Sequence, residues 1–240
     1  MQAFHLYVLL GKKIFPDIAR QKTAALLDQF QPGLVSRLMN YEVVEGKKRT
    51  ITGFPPVQFA HNQDGFSLVG FGETGSALLA DISAPLATAW SDHLDVPVKL
   101  DSKVIGCSID PRPYMLTYQV PRMVVQKRAE HLKTLGDAST GKTFLESLFL
   151  NSLRRQADFL GLKLPEGVKV NFIGAKGEFA AKNGDGNPAC LGLRGATFET
   201  NLRLGGLWAV GRLLSKGYGL INADMQLGGL DVRDSHALSQ

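Results

Sequence analysis

Apolar and polar residues alternate over Ala3-Phe-His-Leu-Tyr-Val-Leu-Leu10, which predicts a first strand. Pro16-Asp17 opens a helix through Phe30, stopped by Gln31-Pro32-Gly33. Two hairpins follow. Tyr41 to Thr52 pairs around Glu45-Gly46, while Val57–Ala60 and Phe66–Phe71 flank Asn62-Gln-Asp-Gly65. A helix from Thr74 to Trp90, running past Pro85, leads to strands around Val96–Ile109 and Tyr114–Val120. Strand, helix, strand, strand, helix, strand is the ferredoxin-like order.

Beyond this point the period changes. Arg122 to Leu135 carries apolar residues at Val124, Val125, Ala129, Leu132 and Leu135, a helical spacing, and Thr143 to Leu160 reads as an amphipathic helix. Strand patterns return at Val168–Ile173, Gly195–Leu202 and Gly217–Ala223, with a glycine- and lysine-rich loop from Ala175 to Pro188. The fold class expected is α+β, with tandem ferredoxin-like (RRM-like) domains and a helical insertion. The expected boundaries are residues 1–110 for the first domain and 111–240 for the second. The second holds a basic helical insertion at about 121–163 and a glycine-rich loop at 205–219.

With 44 % hydrophobic and 20 % charged residues, the chain can bury one large core or two small ones without staples. Cys107 and Cys190 stand far apart in no C-x-x-C spacing and beside no histidine cluster, so neither zinc nor a disulfide framework is expected, and no cofactor. The N-terminal apolar run is too short for a membrane span, and a cytoplasmic protein is expected. Residues 112–163 hold nine basic and four acidic side chains, and so the whole net charge of +5. A helical hairpin of that charge is what a polyanion-binding projection looks like; a solvated pair of helix faces is the plainer account.

Gly136-Asp-Ala-Ser-Thr-Gly-Lys-Thr143 fits the phosphate-cradling pattern G-x-x-x-x-G-K-[ST] letter for letter. That motif works only where a buried strand delivers the chain into the turn, and the preceding residues read as helix. A P-loop NTPase is therefore the less favoured reading, and Lys142 is expected to serve as one phosphate contact of a polyanion.

The most specific segment runs from Phe198 to Leu220. A strand gives way to a glycine pair, a short apolar turn ending at Gly211, a basic bridge from Arg212 to Lys216, and Gly217-Tyr218-Gly219. Glycines so spaced let backbone approach a phosphate chain, with Arg212 and Lys216 beside the amides. A helix of Leu207, Val210, Leu213 and Leu214 packed on the sheet, with glycines as caps, would also satisfy the pattern.

This segment, with Gly206, Gly211, Gly217, Tyr218 and Gly219 at the loop positions, resembles the C-terminal glycine-rich loop of the RAMP superfamily of CRISPR-associated proteins. The N-terminal strand, the Pro16 helix and the two-half layout resemble it too. Within the superfamily the chain looks most like the endoribonucleases that cut precursor CRISPR RNA, and its insertion is similar to that of the type IV processing enzyme.

The resemblance implies a metal-independent cut in which the ribose 2′-OH attacks the neighbouring phosphate, leaving a 2′,3′-cyclic phosphate and a 5′-OH. It also implies retention of the mature guide's hairpin. The partners it implies are CRISPR repeat RNA and other subunits of a ribonucleoprotein complex. Many relatives place a histidine near the first helix, whereas here none lies between His5 and His61. The expected charge stabilisers are instead Arg20, Arg37 and Arg233, since a guanidinium grips phosphorane oxygens in two-pronged fashion. Expected RNA contacts are Lys47, Lys48, Arg49, Lys127, Arg128, Lys133, Lys142, Arg154, Arg155, Arg212 and Lys216, with the loop residues above. The missing histidine also fits a non-catalytic RNA-binding subunit.

Overall fold

The computed structural model describes residues 1–29, 31–126, 138–182 and 188–221. Its first half is built on β1 (Gln2–Leu9), β4 (Val57–Asn62), β5 (Gly65–Phe71) and β6 (Lys99–Gly106). They lie in the order β4-β5-β1-β6, each antiparallel to its neighbours. Helices α1 (Pro16–Asp28) and α3 (Gly72–Leu94) cover one face. That is the ferredoxin-like arrangement. Leu6, Val8, Phe59, Phe66 and Leu68 of the sheet meet Ala19 and Leu27 of α1 and Leu78, Leu79, Ile82 and Trp90 of α3. Trp90 Nε1 donates to Thr23 Oγ1 at 3.1 Å, satisfying the polar atoms where the two helices touch.

Between α1 and β4 the structure adds what the pattern did not predict. Pro32 opens a second helix, α2 (Pro32–Leu38), rather than only ending the first. Proline at the first helical position surrenders no hydrogen bond, so the same residue serves as stop and start. The hairpin β2 (Tyr41–Val44) and β3 (Lys47–Thr50) follows, turning at Glu45-Gly46.

The second half begins directly after Cys107 with β7 (Ser108–Gln126), followed by α4 (Ala138–Phe159), β8 (Val170–Gly174), β9 (Gly177–Lys182) and β10 (Pro188–Gly205). β10 lies between β7 and β8, and β9 pairs along its N-terminal portion. Leu145, Phe149, Leu153 and Ala157 of α4 pack on Tyr118, Val120 and Phe198 of the sheet.

Two expectations are corrected here. Arg122 to Gln126 belongs to β7, not to a helix, because both its faces are covered: Met123 and Val125 join the core under α4, while Val124 joins Phe179 and Tyr218 on the opposite side. A strand buried on both faces loses its alternation, and its run of apolar residues mimics helical spacing. The remainder of the expected first helix, 127–135, lies outside the described residues. The Ala175–Pro188 loop contains strand β9, whose Phe179 packs across Gly192 of β10.

After β10 the chain forms β11 (Trp208–Ala209), a 3₁₀ turn at Leu214–Lys216 and β12 (Leu220–Ile221), which pairs antiparallel with β11. The alternative helix through Leu207 and Leu214 does not form. The Gly219 amide donates to the Arg122 carbonyl at 2.8 Å and docks this segment beside β7. The position of a fourth strand is thus filled, while a glycine-rich loop replaces the second helix.

The two halves meet over the uncovered face of the first sheet. Ala3, Ala60, Val69 and Phe71 pack with Cys107 and Leu160, flanked by Phe54, Phe159, Leu207 and Leu220. Gln58, fully buried on β4, donates from Nε2 to the Tyr218 carbonyl at 2.7 Å. No helix among the described residues is long and apolar enough to cross a membrane. Among them no group of three or more His, Cys, Asp or Glu could hold a metal ion.

Candidate nucleic-acid interface and cleavage site

The glycine-rich loop is held by α4. Ser152 and Gln156 stand one turn apart on its inner face, both buried. Ser152 Oγ accepts from the Gly211 amide at 3.0 Å; Gln156 accepts from the Ala209 amide and donates to the Leu207 carbonyl, both at 2.8 Å. From the other side β7 takes the Arg212 amide on the Val124 carbonyl at 2.8 Å. The loop therefore has one conformation, fixed by side chains from outside it.

This changes the reading of the glycines. The amides of Ala209, Val210, Gly211, Arg212, Lys216, Gly217 and Gly219 all donate within the protein, so they are not a cradle waiting for phosphate. Gly217 and Gly219 are required by internal close approach: both have φ near +85°, and a Cβ on Gly217 would stand 2.4 Å from Pro16 Cβ, one on Gly219 2.0 Å from the Val210 oxygen. Gly206 abuts the Gly106 carbonyl, and Gly211 abuts that of Val124. Tyr218, expected to meet RNA, has its ring buried against Phe179 with centroids 5.8 Å apart.

What faces outward is side chain. A cleft of about 330 Å³ opens between the halves, walled by Asn40 and Ile51–Pro55 of the first, Ser152 and Arg155 of α4, and Gly211–Ser215 of the loop. Arg155 is exposed, its Nε donating to the Asn151 carbonyl at 3.3 Å; Arg212 is half-buried, its Nε donating to the Val125 carbonyl at 3.2 Å. Neither guanidinium is in an ion pair with a described carboxylate.

Arg20 lies on α1 one turn beyond Pro16, the residue that touches Gly217. Its Nη2 donates to the Met39 carbonyl at 2.9 Å, next to Asn40 of the cleft, while its Nε is buried with no partner. Burial lowers its pKa, with Tyr41 opposing. A largely buried guanidinium without a described carboxylate partner is costly to keep, and a phosphate oxygen is a natural counter-charge.

The other expected residues scatter. Arg37, on the last turn of α2, points to Asp81 of α3 at 3.6 Å in a half-exposed pair. Arg233, Lys127, Arg128 and Lys133 lie outside the described residues. Lys47, Lys48 and Arg49 are exposed on the β2–β3 hairpin, with Lys48 Nζ 4.9 Å from the Tyr41 ring centroid. Arg154 is exposed and donates to Asn151 Oδ1. Lys216 ends the 3₁₀ turn.

Lys142 sits inside α4, 3.8 Å from Glu146. Its amide and that of Thr143 fall beyond the first turn and close helical bonds, so they cannot hold phosphates. A strand does precede the motif, against expectation. The helix starting at Ala138 nevertheless engages the Lys142 and Thr143 amides that a P-loop would turn to phosphate.

His61, which the sequence did not single out as a candidate, lies near the end of β4. The fold sets its ring 5.7 Å from that of Phe15, at the start of α1, and near Arg122. Burial, then Lys13 and Arg122, lower its pKa despite Asp17. Ser152, Gln156 and Gln58 were missed as well. The first two could have been found as polar residues at i, i+4 on the apolar face of a helix; Gln58 left no signal beyond a polar residue in an apolar strand.

The family model described as Type IV CRISPR-associated endonuclease Csf5 matches residues 9–226. No curated protein matches the chain. Among solved structures, one titled Csf5, CRISPR-Cas type IV Cas6 crRNA endonuclease is 21 % identical, with 93 % of this chain and 100 % of that chain covered and a TM-score of 0.68. Another, the CRISPR RNA processing endoribonuclease Cas6b, is 16 % identical, with 92 % and 98 % covered and a TM-score of 0.60. At these identities the likeness is one of fold.

Proposed function

The chain belongs to the type IV CRISPR-associated endonuclease family Csf5, and from that premise we propose that it cuts precursor CRISPR RNA within the repeat and keeps the mature guide. The nucleophile is the RNA's own 2′-OH, so no metal-bound water is needed. Its oxygen attacks phosphorus, the bond to the 5′-oxygen breaks, and the products are a 2′,3′-cyclic phosphate and a 5′-OH. The protein has to align the 2′-oxygen, phosphorus and the 5′-oxygen in line, take the proton from the 2′-OH, hold the extra negative charge of the phosphorane and return a proton to the leaving oxygen.

Arg20 carries this reading. It is a half-buried, permanently charged donor without a described carboxylate partner, bonded to the Met39 carbonyl next to Asn40 of the cleft wall. Arg155 and Arg212 in the cleft, with the Lys47-Lys48-Arg49 hairpin at its side, would hold the flanking phosphates. Arg37 could join only by leaving Asp81, and a surface pair of that kind costs about 0–1 kcal/mol to break. Retention of the guide suits assembly with further subunits of an effector complex.

A second reading concerns the proton acceptor. His61, beside α1 and near Arg122, is favoured in its neutral form and could take the 2′-OH proton. Single-turnover cleavage of a labelled repeat hairpin in EDTA, at saturating enzyme, separates the two. Arg20→Ala should slow the cut by about a hundredfold, the size of one aligned transition-state donor. Arg20→Lys should regain part of that rate and His61→Ala should keep most of it. A dead His61→Ala beside a normal Arg20→Ala would transfer the chemistry to histidine.

A further inference from the structure

Across the loop from the Arg212 cleft lies a second cavity of about 260 Å³, also between the halves. The loop forms a wall of both: Gly211–Ser215 face the first, Gly217 and Gly219 the second. Its character differs. Ala60, Val69, Leu207 and Leu220 make it mainly apolar, with His5, His61 and Arg122 as its polar residues. Whereas the first cleft, with Arg155 and Arg212 at its wall, suits a phosphate, such a chamber, with apolar walls and a few hydrogen-bonding atoms, suits a flat, uncharged group. Its volume lies below the range of about 300–1,000 Å³ typical of drug-sized ligands, which fits a single ring system.

The polar residues are held in place. The Arg122 guanidinium carbon is 4.8 Å from the Phe179 ring centroid and 5.1 Å from that of Tyr218, so the side chain is fixed by two stacked aromatics. His5 Nε2 shares a 2.9 Å hydrogen bond with Ser67 Oγ, and its ring stacks on Tyr7 at 4.1 Å. Burial, with the charge of Lys103, holds its pKa at about 4, so at neutral pH it is a neutral imidazole, with Nε2 engaged by Ser67.

We propose that this cavity takes one unpaired nucleobase of the RNA, turned out of the strand next to the phosphate held in the Arg212 cleft. Proteins read single-stranded RNA in this way, by apolar and stacking contact with the base face and hydrogen bonds to its edge. The inference rests on the endoribonuclease reading and adds the recognition of one base beside the cut.

The test uses the full-length protein and repeat RNAs that each carry one abasic nucleotide in the unpaired stretch around the cleavage site. One position should lose about ten- to hundredfold in affinity, the size of one base stacked on protein, and its neighbours far less. Ala60→Leu, which fills the cavity, should bring intact RNA down to the level of that abasic RNA and remove the difference between them. Equal losses at every position, or a folded Ala60→Leu protein that binds intact RNA as before, would overturn the proposal while leaving the nuclease standing. Should Ala60→Leu fail to fold, 2-aminopurine at the sensitive position decides with the unaltered protein: its fluorescence should change on binding at that position alone, and no change there overturns the pocket. RNA neither bound nor cut would bring down the underlying reading, and the pocket with it.

Discussion

The two halves of the molecule start alike, each with a strand, a helix and an antiparallel pair, and part company at the second helix. In the first half α3 satisfies its own backbone and presents Leu78, Leu79, Ile82, Leu86 and Trp90 to the core. In the second, the segment from Gly206 to Gly219 has only a short bridge and one 3₁₀ turn, and borrows partners from Ser152, Gln156, Val124 and Arg122. A helix is a self-sufficient element that seals a sheet. A loop fixed from outside can instead line two cavities at once, at the cost of depending on every residue that holds it.

The strongest way to break that contrast is to give the loop a side chain. Gly219→Val puts Cβ against the Val210 carbonyl in a backbone conformation that valine avoids, and overpacking plus strain should cost on the order of 3–5 kcal/mol in denaturant unfolding. A loss under about 1 kcal/mol would mean the loop is looser than described.

Next comes pH. His5 lies on the sheet face turned to the second half, and its folded pKa of about 4 stands below the ordinary 6.5. Between these values the unfolded chain binds the proton and the folded one does not, so stability is whole above about pH 6.5, falls on acidification and levels off near pH 4. The shift corresponds to roughly 3 kcal/mol. His5→Gln should flatten that part of the stability profile, and an unchanged slope would show that His5 is not shielded between the halves.

Gln58→Leu leaves the Tyr218 carbonyl buried and unpaired, and should lower stability by about 1–3 kcal/mol. The smallest effect belongs to the self-sufficient half: Ala77→Gly, on the exposed side of α3, should cost about 1 kcal/mol from backbone freedom alone and leave RNA cleavage untouched.

The first half was legible where an alternating strand, a turn or a helical stripe marks the element, although its sheet is covered on both faces. β1 alternates, the Asn62-Gln-Asp-Gly65 stretch marks the β4–β5 hairpin, which turns at Gln63-Asp64, and α3 keeps a helical stripe even past Pro85. The second half hid where burial is two-sided or depends on distant partners. Met123, Val124 and Val125 lost the alternation that marks a strand. The glycines were visible, but whether they serve a ligand or neighbouring backbone depended on where Pro16 and Val210 lie, and spacing does not encode that. Arg20 was readable as a candidate by residue type, though its lack of a described carboxylate partner was not. Arg37 looked equivalent in sequence and differs because α3 brings Asp81 to it.

Cys107 lies in the joint between the halves, 3 % exposed, its Sγ 3.8 Å from the Leu207 carbonyl, and burial pushes the thiol's pKa up. Because only a thiolate in contact with solvent reacts, this sulfur records time rather than structure. A bulky disulfide reagent should modify the half-buried Cys190 first and Cys107 only as often as the joint opens. Its slow phase counts those openings, and the factor by which bound guide RNA lengthens it is the grip of the product expressed as a rate.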